Sequence, residues 1–241
     1  GDYILVNEFP KSGASWLAQM IGEALDVPFP RNRLPLINTS IMHGHYLTET
    51  GLRRKVIVWR DGRDVAVSWY FHFVIGHELS SNRAVEATRH KLGFSQFENE
   101  SERFSKALEL FLTRPRYPRF TWQAFVQKWA GHTDYVHVRY EDLISDTQGE
   151  LKRVCLELDD RELEDEIAIK IASKFSFSNQ SGRAAGEEAT GKYLRKGVVG
   201  DWRNYFNAND RILFNEHAGE QLTALKYEPD HSWVLMNGAL P

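Results

Sequence analysis

The apolar run Tyr3-Ile4-Leu5-Val6 leads almost directly into Phe9-Pro10-Lys11-Ser12-Gly13-Ala14-Ser15-Trp16. A short strand, a turn rich in Gly and Ser, and the start of a helix follow one another there. That order points to an α/β arrangement and aims backbone N–H groups at an anion. Lys11 adds a positive charge, and Ser12 and Ser15 offer hydroxyls, so the stretch suits a phosphate. It is not the usual nucleoside triphosphate loop, because no Gly-Lys-Ser/Thr string occurs. Taken alone, Lys-Ser-Gly is also an ordinary turn.

The length of 241 residues suits one large α/β domain over residues 1–241. A formal charge of -3 argues against a broad grip on nucleic acid, so no nucleic-acid partner is expected, while a local basic pocket remains open. Cys155, the single cysteine, rules out an intrachain disulfide and a Cys-based zinc site. With no long uncharged apolar run and no signal-peptide pattern, the expectation is a cytoplasmic protein without a transmembrane segment.

Along the chain, strand-like and helix-like segments alternate. Residues 16–25 carry helical spacing that Pro28 stops, and Trp16 suits either core packing or cover for a flat ligand. A basic link with Arg31 and Arg33 precedes a strand expected at Ile37–Met42, whose end presents His43-Gly44-His45. Imidazoles one residue apart are metal ligands by type, but the acids near them in sequence form no zinc pattern, so no metal is expected. A general base at the carboxyl edge of a sheet is the preferred reading.

The strand Val56–Trp59 delivers Arg60 to the same edge as Lys11, and Ser68 follows in the next helix. Asp61 and Asp64 suit helix caps or partners for Arg63. Residues 71–119, with their aromatics and histidines, are expected to cover the acceptor side. Helices are expected at 102–112, 121–130, 149–158 and 162–173, with a strand at 135–140 in which His137 is structural. Phe175 suits cover for a purine, and the Gly-flanked basic loop around Arg195-Lys196 suits a phosphate, although exposed charge reads the same way.

Three of these stretches, in order, resemble the sulfotransferases that use 3'-phosphoadenosine 5'-phosphosulfate (PAPS). Phe9 to Trp16 is similar to their 5'-phosphosulfate loop, Trp59-Arg60-Asp61-Gly62-Arg63-Asp64-Val65-Ala66-Val67-Ser68-Trp69-Tyr70 to their 3'-phosphate strand and helix, and Leu194-Arg195-Lys196-Gly197-Val198-Val199-Gly200-Asp201-Trp202-Arg203-Asn204-Tyr205-Phe206 to their carboxyl-terminal signature.

The resemblance implies a three-layer sandwich like the P-loop nucleotide-binding folds, a central parallel β-sheet flanked by helices. It implies that Lys11 holds the phosphosulfate bridge, with Ser12, Gly13, Ala14 and Ser15 as loop contacts. Arg60, Ser68, Arg195, Lys196 and Gly197 would grip the 3'-phosphate; Trp16, Tyr140, Ser173 and Phe175 would surround adenine. His45 is the closest match to the family's catalytic His, and His43 stands where the family often has Lys. The implied reaction moves a sulfonate from PAPS to a hydroxyl of a small-molecule, lipid or sugar acceptor, leaving a sulfate ester and adenosine 3',5'-bisphosphate (PAP) without a catalytic metal. A P-loop kinase and a noncatalytic nucleotide-binding scaffold are the alternatives. Asn207-Ala208-Asn209-Asp210-Arg211 departs from the family's common dimer sequence, so no oligomeric state is carried over.

Overall fold

A computed structural model describes residues 2–31, 39–97 and 99–235; Arg33 of the basic link, and Ile37 and Asn38 of the expected strand, lie outside them. In chain order the regular elements are β1 (Asp2–Glu8), α1 (Ala14–Leu25), β2 (Thr39–Gly44), β3 (Arg54–Trp59), α2 (Gly62–Tyr70), α3 (Asn82–Leu92), α4 (Glu100–Thr113), α5 (Trp122–Trp129), β4 (Val136–Arg139), α6 (Tyr140–Ser145), α7 (Thr147–Asp159), α8 (Asp165–Lys174), α9 (Phe177–Ser181) and α10 (Ala208–Ala224). They form two compact units, Gly1–Arg60 with His132–Glu187, and Asp61–Gly131 with Glu188–Pro241.

The first unit holds the sheet, ordered β2-β1-β3-β4 with every pair parallel. The order changes direction at β1, and the loop leaving β1 therefore opens at the carboxyl edge where α/β sheets receive ligands. Ile4, Val6, Ile41, Val56 and Val58 join Leu17 and Ile21 of α1, Leu151 and Val154 of α7, and Ile171 of α8 in one buried apolar cluster. Each such side chain stabilises the unit by roughly 1.5–3 kcal/mol on burial. Cys155 lies in the same cluster, and burial pushes its thiol up to about 11, so it acts as a small apolar residue.

Among the boundaries that differ from the sequence expectation, two bear on the site. β2 runs on to Gly44, so His43 and Gly44 pair with Val6 and Asn7 inside the strand, and only His45 lies beyond its end. Pairing to β1 extends the strand past the residues that propensity alone selects. Tyr140 opens α6 instead of closing β4, because Glu141 and Asp142 supply the acidic first turn of a helix.

The second unit is helical around a core of aromatics that includes Trp69, Phe104, Phe111, Trp122, Phe214 and Trp233. The helices expected at 102–112 and 121–130 are α4 and α5. Asp61 caps α2 by accepting from the Arg63 backbone N–H at 2.9 Å, and it also pairs with the Arg63 guanidinium. That guanidinium lies 4.1 Å from the Trp202 ring centre and 4.6 Å from that of Trp233, and its other carboxylate partner is Glu228 at 2.5 Å. Asp64 stands in the first turn of α2, and its carboxylate accepts from the backbone N–H groups of Gly200 at 2.7 Å and Trp202 at 2.9 Å. Asn207 and Asp210 form a capping box at the start of α10, which gives the Asn207–Arg211 segment a local structural use. No helix among the described residues is long and apolar enough to cross a membrane.

Candidate active site

The loop from Phe9 to Gly13 joins β1 to α1. Its Ser12 hydroxyl donates to the Phe9 carbonyl at 2.8 Å and the Ser12 N–H to the same oxygen at 3.2 Å, so this side chain closes the turn. Lys11 and Gly13 have φ of 80° and 104°, a backbone hand that costs a lysine energy and that folded chains retain mainly where geometry at a site demands it. From the end of β3, Arg60 donates to the Lys11 carbonyl at 3.1 Å while its guanidinium sits 4.3 Å over the Tyr140 ring.

The aromatic residues expected around a base are neighbours in the first unit. Trp16 donates its indole N–H to the Phe175 carbonyl at 2.7 Å, and its ring meets Tyr140 edge-on with centres 6.0 Å apart. Ser173 exposes its side chain, and its carbonyl accepts from the Asn179 side-chain amide at 2.6 Å.

Beyond the aromatic group, β1 and β2 bring a third residue to the two histidines. Two residues after the paired Val6 and His43 come Glu8 and His45. Alternation along each strand then turns Glu8, His43 and His45 toward one face. Glu8, only 4% exposed, accepts from the Ala14 N–H at 2.7 Å through Oε2 and bonds His43 Nε2 at 3.1 Å through Oε1. His43 Nδ1 lies 3.5 Å from the Ser15 hydroxyl. His45 Nδ1 donates to the Glu8 carbonyl at 3.1 Å, which leaves the lone pair of the neutral ring on Nε2.

Burial pushes the Glu8 carboxyl up, but the His43 hydrogen bond, both imidazoles and the Ala14 N–H together hold it below the usual carboxylate value. Burial depresses His45, aided by His43 and Lys11 and opposed by the Glu8 carboxylate, which keeps the ring neutral near neutral pH. Sequence reasoning missed Glu8. The signal was there: an acid in phase with Ile4 and Val6 occupies a core position, and a buried charge requires partners.

The second unit carries Ser68, Arg195, Lys196 and Gly197. Ser68 is half-buried on α2. Arg195 pairs with Asp201 and, at 2.6 Å, with Glu188, while Lys196 reaches Asp201 at 2.6 Å. Gly197 follows with φ of 67°. Asp201 is 4% exposed, so it fixes both cations from the protein side. Asp201 and Glu188 together balance the two cations.

A sulfotransferase domain profile matches residues 52–226. Rat sulfotransferase 1E1 is 24% identical over 266 residues, covering 90% of this chain and 82% of its own length. Bovine sulfotransferase 1A1 is 24% identical over 271 residues, covering 93% and 85%. Among solved structures, mouse sulfotransferase SULT7A1 complexed with PAP superposes with a TM-score of 0.66 at 24% identity, over 92% of this chain and 84% of the other. Retinol dehydratase in complex with retinol and PAP gives 0.64 at 17% identity, over 92% and 81%. These superpositions establish the fold as an α/β sandwich with a central parallel sheet flanked by helices.

Proposed function

Because the chain belongs to the PAPS-dependent sulfotransferase family, we propose that it transfers the sulfonate of PAPS to the hydroxyl of an alcohol or phenol, with His45 as base and Lys11 at the leaving phosphate. The observation that carries this reading lies in one unit. Lys11 in its left-handed conformation, Arg60 on its carbonyl and the Trp16, Tyr140 and Phe175 group sit around the carboxyl edge of the sheet. That edge offers cations to phosphate and flat rings to a base.

In this reading the acceptor hydroxyl gives its proton to Nε2 of neutral His45 as its oxygen attacks sulfur. The bond from sulfur to the bridging oxygen breaks, and Lys11 with the start of α1 stabilises the charge that builds on the departing phosphate. The Ala14 N–H is engaged by Glu8, so the anion-facing donors of this loop are other groups. In the first unit Arg60 serves the 3'-phosphate; in the second, Ser68, Gly197 and the Arg195 and Lys196 side chains, which Asp201 and Glu188 hold, are the groups suited to a phosphate. Phe94 and Phe97, half-buried in the 71–119 segment of the second unit, suit an apolar acceptor.

Calorimetry with PAP, adenosine 5'-phosphate and ATP, on wild type and on the Arg60→Ala and Lys196→Ala variants, tests the donor. Strong preference for the bisphosphate, lost in both variants, is expected. Equal or better binding of ATP would replace this reading with a kinase. Sulfonate transfer from labelled PAPS to a panel of phenols, sterols and sugars then tests the reaction.

A further inference from the structure

The Glu8, His43 and His45 cluster has more chemistry than proton transfer requires. Each residue offers one donor atom, and the three atoms lie within 4.8 Å of one another. Two imidazoles and a carboxylate are the protein donor set of many three-ligand zinc sites, which keep a further position open. Each donor is also held from behind. Glu8 is oriented by the Ala14 N–H, His43 Nδ1 faces the Ser15 hydroxyl, and His45 donates Nδ1–H to the Glu8 carbonyl. A ligating His whose other nitrogen is fixed by a backbone carbonyl is the usual outer arrangement of a metal site. Bonds of about 2.0–2.1 Å ask the donors to stand roughly 3.3 Å apart. Glu8 and His43 already do, at 3.1 Å, so only His45 has to close in.

We propose that Glu8, His43 and His45 form a three-ligand site for a first-row divalent cation, zinc above all, whose occupancy withholds the His45 lone pair from the acceptor and reversibly inhibits transfer. The cation displaces the proton shared by His43 Nε2 and Glu8 Oε1, which leaves to the buffer or moves to Nδ1 opposite Ser15. The inhibition, though not the binding, rests on the role given to His45 above. Sequence spacing did not reveal the set because its carboxylate comes from a different strand, joined only by the β1–β2 register.

The test is a titration of the full chain with Co²⁺, followed through its visible bands and by calorimetry, with Zn²⁺ added afterwards as competitor. The same titrations are run on Glu8→Gln, which keeps an acceptor for the Ala14 N–H, and on the less buried His43→Gln. PAP binding and circular dichroism report whether each variant is folded. A saturable Co²⁺ site is expected in wild type, displaced by Zn²⁺ and weakened in both folded variants by more than the ~10–100-fold that loss of an outer partner costs. Zinc should slow sulfonate transfer and a chelator should restore it. Absence of a saturable site in wild type, or equal affinity in the folded variants, overturns the proposal. Saturable binding with undiminished transfer upholds the cation site and refutes His45 as base, and failure to bind PAP refutes the donor reading separately.

Discussion

The ring of Tyr140 occupies the space in which a side chain at Gly13 would begin: a Cβ there would stand 2.7 Å from Tyr140 Cδ2. Gly13 also has φ of 104°, so two independent constraints disfavour any other residue.

Gly13→Ala therefore moves the Tyr140 ring or the loop. The backbone alone costs about 1–2 kcal/mol, and the displaced ring disturbs the Arg60 stack. The expected outcome is a lower thermal midpoint together with PAP binding weakened by about tenfold or more, since each ~1.4 kcal/mol is a factor of ten. Wild-type affinity in the variant would show that the loop and Tyr140 do not act as one surface.

Arg63 is 2% exposed between two indoles and two carboxylates. Arg63→Ala leaves the buried Asp61 and the half-buried Glu228 without this cation, which is expected to destabilise the protein by about 3–5 kcal/mol. Glu228→Gln should cost distinctly less, because Asp61 still balances the guanidinium. Urea unfolding of the two variants decides the order, and equal losses would contradict it.

Asp201 gives the second unit one source of acid sensitivity. Burial pushes its carboxyl up, but Lys196, Arg195 and Asn204 hold it below the usual aspartate value. A depressed value in the folded state means that the contribution to stability is complete above the unfolded value of about 3.9 and is lost as pH falls through the depressed one. The stability gap between wild type and Asp201→Asn, measured in urea, should be wide at neutral pH and close progressively below about pH 4. A gap that does not change with pH would remove Asp201 as the source.

His45→Ala is expected to separate chemistry from binding. Loss of a general base costs roughly 10²–10⁴-fold in turnover, while PAP affinity stays near wild type because His45 is not among the donor contacts. Lys11→Ala should impair both. Transfer assays beside calorimetry check the split, and unaltered turnover in His45→Ala would require another base.

The chain's α/β character, the turn from β1 into α1 and the strand around 56–59 were legible in the sequence because each is local: an apolar run, a glycine and a charge at fixed spacing. What sequence could not place were groups defined by partners far along the chain. Glu8 acquires its role only where β1 lies beside β2, 35 positions away at His43. Asp64 looks like a helix-start acid, yet it holds the backbone of Gly200 and Trp202, 136 and 138 positions away. The end of β2 was misjudged for a related reason, since ladder pairing with Asn7 keeps Gly44 extended.

The sheet's strand order also bears on how the chain emerges from the ribosome. β3 can pair with β1 once Trp59 has been made, but its other neighbour, β4, is encoded only at Val136, after the whole 61–131 segment of the other unit. Throughout that interval β3 is an unprotected edge, the kind of surface that recruits strands from other chains. We expect nascent chains arrested before Val136 to be readily cleaved by protease and to depend on chaperones, and chains arrested beyond α7 to become resistant. The first unit is thus completed only after the 61–131 segment of the second has been made.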